Sequence, residues 1–151
     1  MSPSPEPDVP QVVACPSCGR PNRIPAAAAG LPRCGACHEP VPWLVDAGDA
    51  SFAERVSGPL PVLVDLWAPW CGPCRTVGPA VEGVARSFAG RLKVVKVNVD
   101  DAPGVARRFT IGGVPTLLIL RDGAEVARQV GAVPAAALSQ WVSHHLRTRV
   151  A

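Results

Sequence analysis

Apolar positions change period several times beyond residue 40, and each change marks an element. Val41–Val45 (VPWLV) reads as a short strand, and DASFAERVSG as a short helix capped by Asp49 or Ser51. PVLVDLWA, from Pro61, is a continuous apolar strand that contains a single acid, Asp65. Val77, Val81, Val84 and Phe88 recur at helical spacing after Cys71, with Pro79 expected to kink that helix. LKVVKVNVD alternates as a strand, and GVARRF has room for a turn or two of helix. PTLLILRDGAEVARQV predicts two strands joined at Asp122-Gly123, a strong hairpin signal. Pro134 opens a last helix with Leu138, Trp141, Val142 and His145 on one face. Arg147 and Arg149 suit the negative pole of its dipole. The order β-α-β-α-β-α-β-β-α places the chain in the α/β class, with a mixed sheet flanked by helices on both faces.

The first forty residues have a different texture. Residues 1–11 are rich in proline and serine and carry Glu6 and Asp8, so they read as a disordered tail. Residues 12–40 contain Cys15, Cys18, Cys34 and Cys37 among prolines and glycines, with few periodic apolar positions. This unit is too small to bury itself and needs something else to hold it. The expected division is therefore tail 1–11, cysteine-rich unit 12–40 and α/β domain 41–151.

Composition narrows the partners. With 48% hydrophobic and 18% charged residues, the 151-residue chain can build an ordinary core. A net charge of +3 is mild and its basic residues are scattered, Arg107-Arg108 being the longest cluster, so no nucleic-acid partner is expected. The most apolar run, Val114–Leu120, is far too short to cross a bilayer. The opening MSPSPEPDVP has neither a basic region nor an apolar one, so no export and no membrane attachment are expected. A cytoplasmic setting follows as an expectation. Six cysteines in such a setting point to metal ligands or redox catalysts rather than a disulfide framework.

Cys-x-x-Cys occurs three times, and the third pair stands apart. Cys71 lies where a strand gives way to a helix, and Cys74 lies one turn further in. A helix N-terminus offers unpaired N–H groups and partial positive charge, both of which favour a thiolate. Cys71, expected to be exposed at the helix terminus, is thus the better nucleophile, and Cys74, expected to be shielded further inside, is near enough to attack it in turn. Gly72 and Pro73 keep the turn tight, and Pro73 needs no N–H at an early helical position. Taken alone, the pair is also compatible with half a zinc site or an inert buried pair.

The surroundings decide between these. Trp70-Cys71-Gly72-Pro73-Cys74 after an apolar strand, Gly112-Gly113-Val114-Pro115-Thr116 about forty residues on, and Val130-Gly131-Ala132 together resemble the thioredoxin family. The resemblance covers roughly residues 41–150 and implies a disulfide reductase with a redox-active disulfide. It implies a cis peptide before Pro115, with the Val114 backbone placed to pair with an extended substrate. Trp70 would cover the active pair, and Gly131 would leave room for a bound peptide. Asp65, costly to bury unpaired, would lie behind the cysteines with its ionisation opposed by burial and accept the Cys74 proton through water. Lys96 matches the lysine near that acid. Gly112-Gly113 departs from relatives that often carry a bulkier residue there, which bears on partner preference.

The first two pairs, Cys15/Cys18 and Cys34/Cys37, are separated by fifteen residues. Two such knuckles can bring four thiolates into the tetrahedron that structural zinc favours. Gly19 and Gly35 lie where the knuckles turn sharply. Without a metal, the segment would be coreless. CGACH at Cys34–His38 also matches a c-type haem attachment pattern, but Met1 is the only methionine for an axial ligand and no export is expected. His38 is therefore read as a residue facing solvent or flanking the ligands, and His145 as packed on the apolar face of its helix. A zinc ribbon ahead of a thioredoxin domain resembles the zinc-containing second thioredoxin of many bacteria.

The sequence thus reads as a monomeric cytoplasmic protein-disulfide reductase with structural Zn2+. Its catalytic group is Cys71, Cys74 and Asp65, supported by Gly72, Pro73 and Lys96. Trp70, Val114, Pro115 and Gly131 are expected to meet substrate. The family resemblance implies an NADPH-dependent thioredoxin reductase as electron donor and oxidised proteins as substrates. No nucleotide cofactor is expected on this chain, which lacks a Gly-x-Gly-x-x-Gly fingerprint. Two rival readings are a zinc-regulated binding protein or holdase chaperone that uses the domain as a docking surface, and an oxidase or isomerase.

Overall fold

A computed structural model describes residues 11–24 and 31–147. Residues 1–10 of the expected tail lie outside the described residues. Gln11 belongs to the first strand, one residue ahead of the expected start of the cysteine-rich unit.

Strands β1 (Gln11–Ala14) and β2 (Pro21–Ile24) form an antiparallel hairpin around the first cysteine knuckle. The nine elements expected beyond it follow in order: β3 (Trp43–Ala47), α1 (Phe52–Arg55), β4 (Val62–Trp67), α2 (Gly72–Ser87), β5 (Lys93–Asn98), α3 (Pro103–Arg108), β6 (Thr116–Arg121), β7 (Ala124–Val130) and α4 (Ala135–Arg147). The sheet order is β3-β5-β4-β6-β7, with β3, β5 and β4 parallel and β6 and β7 antiparallel. The Asp122-Gly123 hairpin has φ of 52° and 79°, the double positive turn that suits the twist of two strands.

Side-chain parity sorts the strands between two core layers. Val64, Leu66, Val95, Val97, Leu118 and Leu120 pack toward α1 and α3, alongside Phe52, Val105 and Phe109. Leu63, Val94, Leu117 and Ile119 face the other way, against Val77, Val81 and Val84 of α2 and Leu138 and Val142 of α4. By this parity Asp65 and Lys96 fall on the α2 side. His145 is half-buried on α4, edge-on to Trp141 at 5.5 Å.

Three local expectations change. The polar-apolar alternation read for β5 does not alternate burial, because a central strand is covered on both faces and even Lys93 is buried, its Nζ 4.2 Å from the centre of the Trp43 ring. Ser51 occupies the N-cap of α1 without capping it, and its hydroxyl instead accepts the Gly48 N–H. Asp49 serves a different helix. Its carboxylate accepts the N–H groups of Gly104 and Val105 at 3.0 and 2.8 Å, filling the first turn of α3, whose own N-cap is Ala102.

The cysteine-rich unit does not stand alone. Cys15, Ile24 and Cys34 join the same buried cluster as Val41, Trp43 and Val45, on the α1/α3 side of the sheet. Pro40 closes the junction against Gly90, where an added Cβ would come within 2.9 Å of the proline ring.

Candidate functional site

Cys71 and Cys74 are joined as a disulfide at the C-terminal end of β4, with Cα atoms 5.4 Å apart. Cys71 is the N-cap of α2, in extended backbone, and its sulfur accepts the Cys74 N–H at 3.2 Å. Pro73 follows in the first turn, where no intrahelical N–H is required. An unpaired helix N–H aimed at Cys71 favours its thiolate whenever the bond is reduced. One expectation needs correction: Cys71 is no more exposed than Cys74, at 4% against 8%. Both pack with Ala68 against Trp67, Val99 and Val114, and this cover hides the first sulfur as well as the second.

Asp65 and Lys96 are register partners in the parallel β4–β5 ladder. Both line a recess of about 210 Å³ with Trp67, Cys74, Arg75 and Gly78. Asp65 is 2% exposed, and its Oδ1 has no hydrogen-bond partner within the protein, nor has Trp67 Nε1. Burial pushes the Asp65 carboxyl up to about 6, against the opposing pull of the Lys96 ammonium. Half of this acid is therefore ionised at about pH 6 and most of it at neutral pH, in a recess that Cys74 also lines.

The rim above the disulfide is sparsely covered. Val114–Pro115 is cis, and the Cys71 sulfur lies 3.6 Å from the Val114 carbonyl oxygen. Trp70 is 70% exposed, with its indole N–H donated to Asp100 at 3.2 Å. Gly131 has φ of 93°, donates its N–H to the Pro115 carbonyl at 2.9 Å, and has open space where a side chain would stand. Gly112 and Gly113 are equally open. Gly72 is exposed and lies between the two cysteines. Asp65 and Lys96 thus share the recess with Cys74, Val114 lies beside Cys71, and Gly131 is bonded to Pro115.

Residues 43–144 match the family model described as Thioredoxin. The chain belongs to the thioredoxin family. Curated relatives agree: Thioredoxin 1 of Nostoc sp. is 50% identical over 99 residues, covering 65% of this chain and 92% of that protein. Thioredoxin of Haemophilus influenzae is 42% identical over the same shares. Thioredoxin M-type, chloroplastic, of Spinacia oleracea is 38% identical over 109 residues, 72% of this chain and 60% of that protein. With a closed Cys-x-x-Cys at the N-terminus of a helix, the thioredoxin domain here is that of a thiol-disulfide oxidoreductase.

Ahead of this domain, the sulfurs of Cys15, Cys18, Cys34 and Cys37 all lie within 4.8 Å of one another. The Cys15–Cys37 and Cys18–Cys34 sulfurs are each 3.5 Å apart. Sulfurs around one tetrahedral zinc, with bonds of ~2.3 Å, stand about 3.8 Å apart, so the donor set fits a single metal ion. The two knuckles repeat each other. The Cys15 and Cys34 N–H groups bond to the Arg20 and Glu39 carbonyls at 2.9 and 2.8 Å, and Gly19 and His38 both take positive φ, 80° and 65°. His38 is exposed and contributes only backbone here, its N–H to the Cys34 carbonyl and its carbonyl to Arg33. Without a cation, the four sulfurs cannot all be thiolates. N–H groups of Cys37 and Ala36 pull Cys34 down to about 6. The Glu39 N–H pulls on Cys37 too, but burial and the three neighbouring sulfurs outweigh it and push Cys37 up to about 12.

Sequence reasoning missed Arg75 and Trp67, which line the recess, and Asn22, which touches the cysteine cluster. Arg75 was readable by adjacency to Cys74. Asn22 gave no signal, because two of its partners, Cys34 and Gly35, come from a second knuckle twelve or more residues away.

Among the described residues, no helix is long and apolar enough to cross a membrane.

Proposed function

We propose that this chain reduces disulfides of other proteins in the cytosol, and that residues 12–40 form a zinc ribbon ahead of a catalytic domain spanning 41–151. The observation that carries the catalytic reading is the Cys74 N–H aimed at the Cys71 sulfur, with the Asp65–Lys96 recess behind the pair. In the reduced chain, the Cys71 thiolate attacks one sulfur of a substrate disulfide. The substrate S–S bond breaks, one substrate sulfur leaves as thiolate, and a mixed disulfide joins Cys71 to the other. Asp65 takes the Cys74 proton through water, and the Cys74 thiolate attacks the Cys71 sulfur. The second substrate thiolate leaves, and the Cys71–Cys74 bond holds the two-electron debit.

Substrate is held at the rim. The Val114 backbone before Pro115 pairs with an extended substrate segment, Trp70 covers it, and the open space at Gly131 admits it. Gly72 and Pro73 support the turn, and Lys96 tunes Asp65. A thioredoxin reductase drawing on NADPH returns the disulfide to dithiol, as the family resemblance implies. Zinc held by Cys15, Cys18, Cys34 and Cys37 would neutralise part of their charge and fix the two knuckles. The pattern resembles the zinc-containing second thioredoxin of bacteria, and the working form is read as a monomer.

The test is turnover of insulin disulfides by the full chain, coupled through a thioredoxin reductase to NADPH oxidation. Sustained turnover supports the reading. A chain that suppressed aggregation of unfolded proteins but turned over no disulfide would favour the holdase alternative. A strongly oxidising reduction potential would favour the oxidase.

A further inference from the structure

The Asn22 side chain donates to a sulfur of the ribbon, and it does so while joining both knuckles. It sits at the start of β2, opposite Val13. Its Oδ1 accepts the Gly35 N–H at 2.9 Å, and its Nδ2 donates to the Arg20 carbonyl at 2.9 Å. A backbone N–H can only donate and a carbonyl can only accept, so these two bonds fix which end of the amide is oxygen. With the amide so oriented, Nδ2 also lies 3.5 Å from the Cys34 sulfur. The Arg20 carbonyl is itself the acceptor that closes the first knuckle at the Cys15 N–H. One chain of hydrogen bonds therefore runs from Cys15, through Arg20 and Asn22, to Cys34.

The repeat of the two knuckles makes this contact one-sided. Cys15, Gly19 and Arg20 correspond to Cys34, His38 and Glu39, and on the same offset Asn22 corresponds to Val41. Val41 is fully buried and has no donor in its side chain, so no equivalent amide reaches Cys15. Four thiolates around one dication leave a net negative site. N–H···S bonds spread that charge and hold each sulfur in place, and at Cys34 the Asn22 amide adds to the Ala36 N–H, 3.4 Å away.

We propose that Asn22 is a positioning residue for the metal site: its amide orients the Cys34 thiolate and sets the second knuckle against the first. This rests on the zinc reading above. Outer partners of this kind typically contribute about 10–100-fold in metal affinity.

The experiment uses the full chain with Cys71→Ser and Cys74→Ser, so that only ribbon thiols ligate metal. Zinc affinity is measured by chelator competition, and the thiolate-to-metal charge-transfer band is recorded with Co2+. Asn22→Asp keeps the shape and the acceptor for Gly35 while replacing the N–H donor with an anion beside Cys34; Asn22→Ala removes all three bonds. Both variants are expected to bind zinc at least ~10-fold more weakly and to move the Co2+ charge-transfer band to lower energy, since the sulfur regains electron density. Full affinity and an unmoved band in Asn22→Asp would overturn the proposal, because a role confined to shape and the Gly35 contact survives that change. A variant too unfolded to load Co2+ is answered by the other, and unshifted bands in whichever loads also overturn it. If the chain with Asn22 intact binds neither metal, the zinc reading fails and takes this inference with it; a bound metal indifferent to Asn22 leaves the zinc reading standing.

Discussion

Asp65 stands directly opposite Lys96 in the β4–β5 ladder, and the recess behind Cys74 is lined by both. Two forces meet on that carboxyl. Burial opposes its charge, and the ammonium one strand away supports it, and burial wins. The outcome is an acid whose ordinary value near 3.8 rises to about 6 in the folded chain.

That shift has a sign for stability. Between about pH 4 and pH 6 the folded chain keeps a proton that the unfolded chain has lost, so stability falls as pH rises through that window. Above it, the fold carries the full cost of a buried carboxylate, roughly 3 kcal/mol for a shift of about two units. Asp65→Asn cannot ionise. Its stability relative to the parent should therefore grow by about that amount from acid to neutral pH, measured by urea unfolding of the oxidised forms. The ribbon responds to pH in both proteins and cancels in the difference. A stability difference independent of pH would mean that Asp65 ionises as freely folded as unfolded.

The same acid should govern the rate of the resolving step. With Asp65 as proton acceptor, that step speeds up as pH rises through about 6, and Asp65→Asn is slowed with no such midpoint. Lys96→Met removes the attraction that opposes burial, so its midpoint should move to higher pH. Rapid-mixing measurements of mixed-disulfide decay across pH supply the test. An unmoved midpoint in Lys96→Met would exclude Lys96 as the tuning charge.

What could be read in advance depended on the range of the interaction. The order of nine elements was legible because Val77, Val81, Val84 and Phe88 repeat at helical spacing and Asp122-Gly123 marks its own turn. Trp70–Cys74 was legible as a redox pair because, with Gly112–Thr116 and Val130–Ala132, it resembles the thioredoxin family; taken alone, the pair left its chemistry open. Asp49 was misread because its real partners, Gly104 and Val105, lie more than fifty residues away. Lys93 gave no hint of burial, since an apolar environment for a lysine arises only when Trp43 of another strand folds over it. Cys71 looked exposed by its place at a helix terminus, but Val114 and Val99 arrive from distant loops to cover it. The fusion of ribbon and domain was invisible for the same reason.

That fusion alters what a ribbon mutation should do. Ile24, Cys15 and Cys34 share a buried cluster with Trp43 and Val45 of the sheet, whereas the Cys71–Cys74 pair sits in a separate small cluster. Cys34→Ser should abolish zinc binding and lower the melting temperature of the whole chain, since the shared layer loses one wall. Insulin reduction at room temperature should largely persist. Calorimetry beside an activity assay checks both halves. An unchanged melting temperature would mean that ribbon and sheet are energetically independent despite their contact.

The two active cysteines should fail differently, and burial is not what separates them, as both are covered. What separates them is the helix terminus. The Cys71 sulfur receives the Cys74 N–H and lies beside the Val114 carbonyl at the rim, while Cys74 faces the recess with Asp65. Cys71→Ser removes the attacking sulfur, so insulin disulfides should not be reduced. Cys74→Ser leaves attack intact and removes the resolving sulfur, so the chain should stall covalently on its substrate. With the ribbon thiols kept metal-loaded, a non-reducing gel should show adducts for Cys74→Ser and none through this pair for Cys71→Ser. The reverse pattern would make Cys74 the nucleophile, and a single N–H at a helix N-cap would then be too weak to choose between two buried sulfurs.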